Sequence, residues 1–227
     1  MLIITIFNED ARNDVFFKYW DNLRPQRVYQ LPAAFSATWP SDLRMPQFEH
    51  VGSIFLCRET NLPTATIRFL QKIAISHACP SVIEGWGHCI DEGRRAAAVV
   101  VVLDGPPMNE LVDSSNGVIV PASLGPPVQH LLPAKLCVWF PKNYYPPTCM
   151  TTVAEIGKAL QRVLQMHSTE RESLGAAAVS RSLRETDFFL GAIENIINNQ
   201  VRGNNTCMYT YICVYVYTAF FIKVILE

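Results

Sequence analysis

The seven cysteines, at 57, 79, 89, 137, 149, 207 and 213, include no Cys-x-x-Cys pair and no regular spacing. That excludes a disulfide framework and a zinc pattern, and reads as reduced thiols of a cytoplasmic protein. Basic charge is not in excess either. Lys and Arg number 19 against 20 Asp and Glu, for a net charge of −1, so nothing recommends nucleic acid or acidic lipid as a partner. The opening Met-Leu-Ile-Ile-Thr-Ile-Phe lacks the basic lead and long apolar core of a signal peptide. No Gly-x-Gly-x-x-Gly follows that first apolar run, which ranks a dinucleotide oxidoreductase last among the readings.

What is present is a globular balance leaning apolar, with 49% hydrophobic and 17% charged residues among 227. The expected organisation is one domain over residues 1–200 and an apolar tail over 201–227. The apolar, β-branched start reads as a buried strand, so the domain begins mid-sheet and an upstream portion is expected to be missing. Residues 14–23 have helical spacing, 24–47 read as an irregular connection with a short strand near 28–31, and 51–57 read as one strand. Pro63 suits the first turn of a helix.

From there the rhythm is strand (76–80), helix (87–97), strand (98–103), short helix (107–112), strand (117–120). The uninterrupted Ala-Val-Val-Val-Val-Leu of 98–103 is what a central parallel strand covered on both faces requires. The pattern predicts an α/β fold with a Rossmann-like, doubly wound parallel sheet. Residues 121–150 are proline-rich, with an edge strand at 136–140. Thr152 with Glu155, and Thr169 with Glu172, have capping-box spacing and announce two helices. An apolar stripe over 189–197 predicts a final helix.

The tail carries sixteen uncharged residues from 207 to 222. A membrane anchor, a strand, or translation of repeat DNA at a faulty gene end are its three readings. The span is short and its tyrosines are spread along it, which disfavours the anchor.

Chemistry concentrates in residues 79–112. Pro80-Ser81-Val82-Ile83-Glu84-Gly85-Trp86-Gly87-His88-Cys89-Ile90-Asp91-Glu92 places a glycine-flanked turn between two glutamates eight positions apart. Glycines let backbone N–H groups approach an anion, and the following helix adds its positive end. A diphosphate fits such a nest. Carboxylates repel phosphates and prefer hydroxyls, so a ligand with phosphates in the middle and hydroxyls at both ends, a nucleotide sugar, satisfies all of it. The bland alternative is a helix-end acid followed by a solvated one.

The stretch resembles the donor-binding segment of retaining GT-B glycosyltransferases, the glycosyltransferase group 1 (family 4-like) enzymes. Their Pro-Ser-x-x-Glu-Gly-aromatic-Gly is matched by Pro80-Ser81, Glu84, Gly85, Trp86 and Gly87. The second glutamate of the E-x7-E unit is Glu92. An apolar strand ending at Asp104, then Glu110-Leu111-Val112 and Gly117, complete the match, which spans about residues 50–200 and concentrates in 80–120.

The resemblance implies the C-terminal half of a GT-B fold, incomplete at its N-terminus. It implies hexosyl transfer with retention from a UDP- or GDP-hexose to an unknown acceptor, with no metal and no other cofactor. Glu84 would be the catalytic-site contact to donor-sugar hydroxyls, and Glu92 would hold the ribose. The amides of Gly85, Trp86, Gly87 and His88 would hold the diphosphate, and Glu110 would touch ribose or base. His88-Cys89 stand where many members carry a small or apolar residue and proline. The acceptor half is absent, as are the Arg and Lys that serve the leaving diphosphate; Arg58, Arg94 and Arg95 are nearest in sequence but occupy other positions. The rival reading is a truncated, non-catalytic protein that binds a nucleotide sugar or a partner chain. Asp104 is expected either to face the ligand crevice or to cap the next turn, and Cys79 and Cys89 to be small buried residues without nucleophilic character, since no cationic neighbour supports a thiolate. His50, His77, His130 and His167 have no partners at ligand spacing.

Overall fold

The computed structural model describes residues 3–6, 26–28, 39–51, 54–57, 62–82, 84, 87–127 and 147–202. The expected helix at 14–23, the edge strand at 136–140 and the tail beyond 202 lie outside them, as do Arg58, Gly85, Trp86 and His130. Contacts divide the chain into two compact units, Met1–Ala74 and Ile75–Glu227, so the domain expected over 1–200 spans both.

The first unit carries a four-stranded mixed sheet in the order β1-β4-β3-β2, from β1 (Ile3–Ile6), β2 (Gln26–Val28), β3 (Phe48–Val51) and β4 (Ile54–Cys57). β1 runs parallel to β4, while β3 is antiparallel to both of its neighbours. The single strand expected over 51–57 is therefore two, with Val51 opposite Ile54 across a two-residue connection. Gly52-Ser53 is a known hairpin dipeptide, and its punctuation outweighs the apolar continuity around it. Helix α1 (Thr64–Ile73) follows, with Pro63 one position earlier than expected, at the N-cap. Its Phe69 meets Trp39 edge to face, ring centres 5.0 Å apart.

The second unit is built on three parallel strands, β5 (Ser76–Cys79), β6 (Val99–Leu103) and β7 (Gly117–Val120), in the order β5-β6-β7. The order steps one way, so no reversal of strand order occurs among these three. Helix α2 (His88–Arg95) makes the first crossover and the one-turn α3 (Met108–Leu111) the second. Every residue of β6 is buried, because α2 and α3 and the later helices α4 (Val153–Gln165) and α5 (Ser168–Arg202) all touch it. Each such valine contributes about 1.5–3 kcal/mol of burial. Ile90, Met108, Val112, Val118, Val120, Val163 and Met166 fill the same core.

α2 ends earlier than its run of alanines suggests. Ala97 takes a left-handed φ of 57°. Its N–H bonds the Arg94 carbonyl at 3.1 Å and the Ala98 N–H bonds the Gly93 carbonyl at 3.2 Å, the two bonds of a Schellman stop. Glycine normally takes this position; here it is alanine.

The described parts of the proline-rich stretch, 121–127 and 147–150, form a strand pair. β8 (Ser123–Pro127) pairs antiparallel with β9 (Pro147–Met150) through an irregular register. Two-stranded edge pairing tolerates the missing N–H groups.

At α4 the expected cap forms by half: the Thr152 hydroxyl accepts from the Glu155 N–H at 3.2 Å, while the Glu155 carboxylate bonds Lys158. The second expected cap is corrected. His167, two residues before Thr169, caps α5: its carbonyl accepts from Glu170 and Arg171, and its ring Nδ1 accepts from the Thr169 N–H at 3.4 Å. α5 then runs unbroken for 35 residues, absorbing the separate helix expected over 189–197. No proline interrupts it, and Gly175 and Gly191 cost too little to break a packed helix. A Cβ at Gly175 would collide with the Ala97 carbonyl, so α5 crosses the end of α2 at backbone contact.

Candidate functional site

The carboxyl ends of β5, β6 and β7 lie in register, with Cys79 opposite Val102 and Leu103 opposite Val120. Loops leaving these ends carry the expected site. The loop after β5 is tied down by the Cys149 N–H of β9, which donates to the Val82 carbonyl at 2.7 Å. Cys149 itself is buried against Gly105, where a Cβ would collide with its sulfur. Burial, and secondarily the charge of Asp104, push its thiol pKa up. Sequence reasoning missed this anchor because Thr148-Cys149-Met150 follows a run of prolines.

Gly87 is the N-cap of α2, with φ 72° and ψ 36°. A Cβ there would run into the Leu111 side chain, so the turn and α3 meet at a point only glycine allows. Glu84 folds back onto this turn. One carboxylate oxygen accepts from the Gly87 N–H at 3.3 Å, and the other faces the Cys89 sulfur at 3.9 Å. The Gly87 amide, expected to serve a diphosphate, is thus engaged by Glu84 itself.

His88 and Cys89 open the helix and both are exposed; Glu92, one turn on, is exposed too. The charges of Glu84 and Glu92 both act on the thiols of Cys79 and Cys89, so the two glutamates and two cysteines share one neighbourhood. Cys79 is nearly buried. Hydrogen bonding with the Cys89 side chain, and then burial, push its thiol pKa up. The same hydrogen bonding, helped by the Ile90 N–H, pulls the Cys89 pKa down against burial and both carboxylates. The expectation that both are small buried residues is corrected for Cys89, which is exposed and whose sulfur faces the Glu84 carboxylate.

Asp104 is exposed and accepts from the Asn109 side chain at 3.0 Å. It ties its loop to α3 through a side chain, where a backbone cap was one of its two expected roles. Glu110 is exposed on α3, and its carbonyl accepts from Arg181.

The two described arginines nearest the turn in sequence face away from it. Arg94, 1% exposed, donates to Glu185 at 2.5 Å. Arg95 donates to Asp91 at 2.6 Å and to Thr186 at 2.9 Å. Ser182 closes the set by donating to Asp91 at 2.7 Å. Together they bind α2 to α5.

A shallow cleft of about 650 Å³ lies at the other end of the strands, where the loop before β7 meets α5. Arg181, Arg184, Asp113, Ser115 and Phe188 line it. Arg181 is consumed there by Asp113 at 2.6 Å and Glu185 at 2.8 Å. Bonds from the Ser115 hydroxyl and amide, and then Arg181, lower the Asp113 pKa. The described residues contain no group of three or more His, Cys, Asp or Glu placed to hold a metal, and no helix among them is long and apolar enough to cross a membrane.

No family model matches the chain, and no curated protein matches it.

Proposed function

We propose that residues 75–202 are the donor-binding part of a retaining GT-B glycosyltransferase of the group 1 (family 4-like) kind, with a Rossmann-like, doubly wound sheet in the complete enzyme. The observation that supports this best is the convergence of Glu84, Gly87, His88 and Glu92 where β5 turns into α2, at the carboxyl end of a parallel strand. That is where open α/β sheets take phosphate-bearing ligands. In this reading the α2 N-terminus faces the diphosphate of a UDP- or GDP-hexose. Glu92 hydrogen-bonds the ribose, and Glu110 is a lesser contact from α3. Glu84 leaves the Gly87 N–H, whose bond of 3.3 Å is longer than the usual 2.9–3.0 Å, and turns to the sugar hydroxyls.

Titration calorimetry of the full chain with UDP- and GDP-hexoses tests the proposal. Binding is expected, and Glu92→Ala is expected to weaken it by about 1–3 kcal/mol, the cost of leaving a buried ligand hydroxyl unpaired. No heat with any such donor would defeat the reading, and an unchanged affinity in Glu92→Ala would remove that residue from the site.

One observation favours a second reading, binding without transfer. Leaving diphosphates need cationic stabilisation, while Arg94 and Arg95 are both committed to α5. A chain that binds donor yet neither hydrolyses nor transfers it would bear out this alternative.

A further inference from the structure

The cleft between the loop before β7 and α5, about 650 Å³ in volume, falls within the size range of small-molecule sites, and donor binding at the β5–α2 turn gives it no role. Ser180, Arg184 and Phe188 follow one another at a spacing of four along α5, so they form one stripe of the cleft wall. Phe188 is 79% exposed, an aromatic ring left open to solvent. The loop opposite is held closed by its own bonds. The Asp113 N–H donates to Asn116 Oδ1 at 2.8 Å, and the Asn116 N–H donates to the Asp113 carbonyl at 3.1 Å. The amide and hydroxyl of Ser115 both donate to Asp113 Oδ1.

The charges of the cleft leave one guanidinium over. Arg181 is paired with both lining carboxylates, Asp113 and Glu185, and the buried Arg94 takes the second oxygen of Glu185. Arg184 is paired with no carboxylate among the described residues; its Nη1 donates to the Ser180 hydroxyl at 2.6 Å. That bond leaves Nε and Nη2, two parallel donors whose spacing fits the two oxygens of one carboxylate. A second donor in the same wall lacks an acceptor. Asn116 is 1% exposed and its Nδ2 has no partner, whereas buried polar groups are ordinarily satisfied. The orientation of that amide is fixed, because its oxygen accepts from the Asp113 N–H. What the cleft lacks is an acceptor carrying negative charge.

We infer that this cleft binds a small aromatic carboxylate. The carboxylate lies on the Nε–Nη2 edge of Arg184 and accepts the proton of the Ser180 hydroxyl, which Arg184 Nη1 leaves free to donate. The ring of the ligand packs on Phe188, one helical turn further along the same stripe, where an aromatic partner gains more than an aliphatic one of equal area. A phosphate dianion suits the site less well, since Asp113 and Glu185 line the same cleft and repel a second negative charge. The cleft lies at the opposite end of the strands from Glu84 and Gly87, and its assignment is independent of the donor-site proposal.

Indole-3-acetate, titrated into the full-length protein and followed by saturation-transfer NMR, is the probe. A Kd at or below about 1 mM is expected. Indole-3-acetamide, the same ring without the charge, should bind at least about tenfold more weakly, as the loss of a charge-assisted hydrogen bond requires. Arg184→Gln should lower the affinity for indole-3-acetate by at least about tenfold, and Phe188→Ala by about threefold. Both side chains are exposed, so the two variants are expected to unfold in urea with the wild-type midpoint. No saturation transfer to indole-3-acetate well above the expected Kd, equal binding of the acid and the amide, or an unchanged affinity in Arg184→Gln overturns the assignment. The comparison of acid with amide uses the wild-type protein alone and decides the case even where a variant folds poorly.

Discussion

At position 87 a methyl group meets two obstacles, a left-handed backbone and the Leu111 side chain. At position 97 a methyl group is already present in a left-handed backbone, on an exposed residue. The two sites predict opposite signs. Gly87→Ala should lower unfolding free energy by about 1–3 kcal/mol, the range for strained backbone. Ala97→Gly should raise it by up to about 1–2 kcal/mol, the left-handed penalty relieved, less what glycine costs in the unfolded chain. Urea unfolding of the pair checks this, and a loss in both would refute the Schellman assignment at α2. The residue scale also shows where sequence reading stops. Gly87 was legible because glycine is the default for such a turn, and Glu84 and Glu92 because of their spacing. Ala97 was not, since alanine is the best helix former and nothing local marks it as a stop. Cys89 was misread because its exposure depends on which face of α2 packs against the core, which its neighbours in sequence do not announce.

Among elements, the contact between α2 and α5 is built on polar pairs. Arg94 is buried, its Nε has no partner, and its Nη2 has Glu185. Glu185→Ala strands that charge and should cost about 3 kcal/mol, the low end for a broken buried pair because the Glu185 side chain is 42% exposed. Arg94→Met removes the charge together with the need for a partner and should cost less than Glu185→Ala. Urea midpoints of the two variants give the comparison; the reverse ranking would mean that Arg94 contributes attraction beyond its own desolvation. Element boundaries were legible where caps are local, as at Thr152. They failed where the deciding interaction was one or two residues away, as with His167 in place of Thr169, or where one apolar run over 51–57 holds the end of β3 and all of β4. The length of α5 was hidden for another reason: its stripe of 189–197 looked like a separate helix, while its N-terminal part buries only scattered small residues.

Over the second unit as a whole, burial is centred on β6, whose five residues are all within 1% of complete burial. Opening them requires α2, α3, α4 and α5 to leave together, so the amides of residues 100–102 should be the slowest in this unit to exchange with solvent water. Exchange measured by mass spectrometry should place β8 and β9 well ahead of them. The valine run of 98–103 made this strand readable in advance, since only a strand covered on both faces can afford such a sequence. The partition at 74/75 was not readable, because no linker composition marks it. Nor was the role of β9, whose Cys149 holds the turn at Val82 from nearly seventy residues away.

The contact of Gly175 with the Ala97 carbonyl has a mechanical meaning. A smooth helix lying on a sheet could slide or roll by small amounts, whereas α5 carries a notch one residue wide, and the carbonyl sits in it. Seven residues on, about two turns, Ser182 meets Asp91; three and four further, Glu185 and Thr186 meet Arg94 and Arg95. Turning α5 by one residue would bring a side chain onto the carbonyl and take all three polar contacts out of phase at once. The notch therefore works as an index mark: it makes the position of α5 a matter of discrete steps, of which one alone lets the lock close.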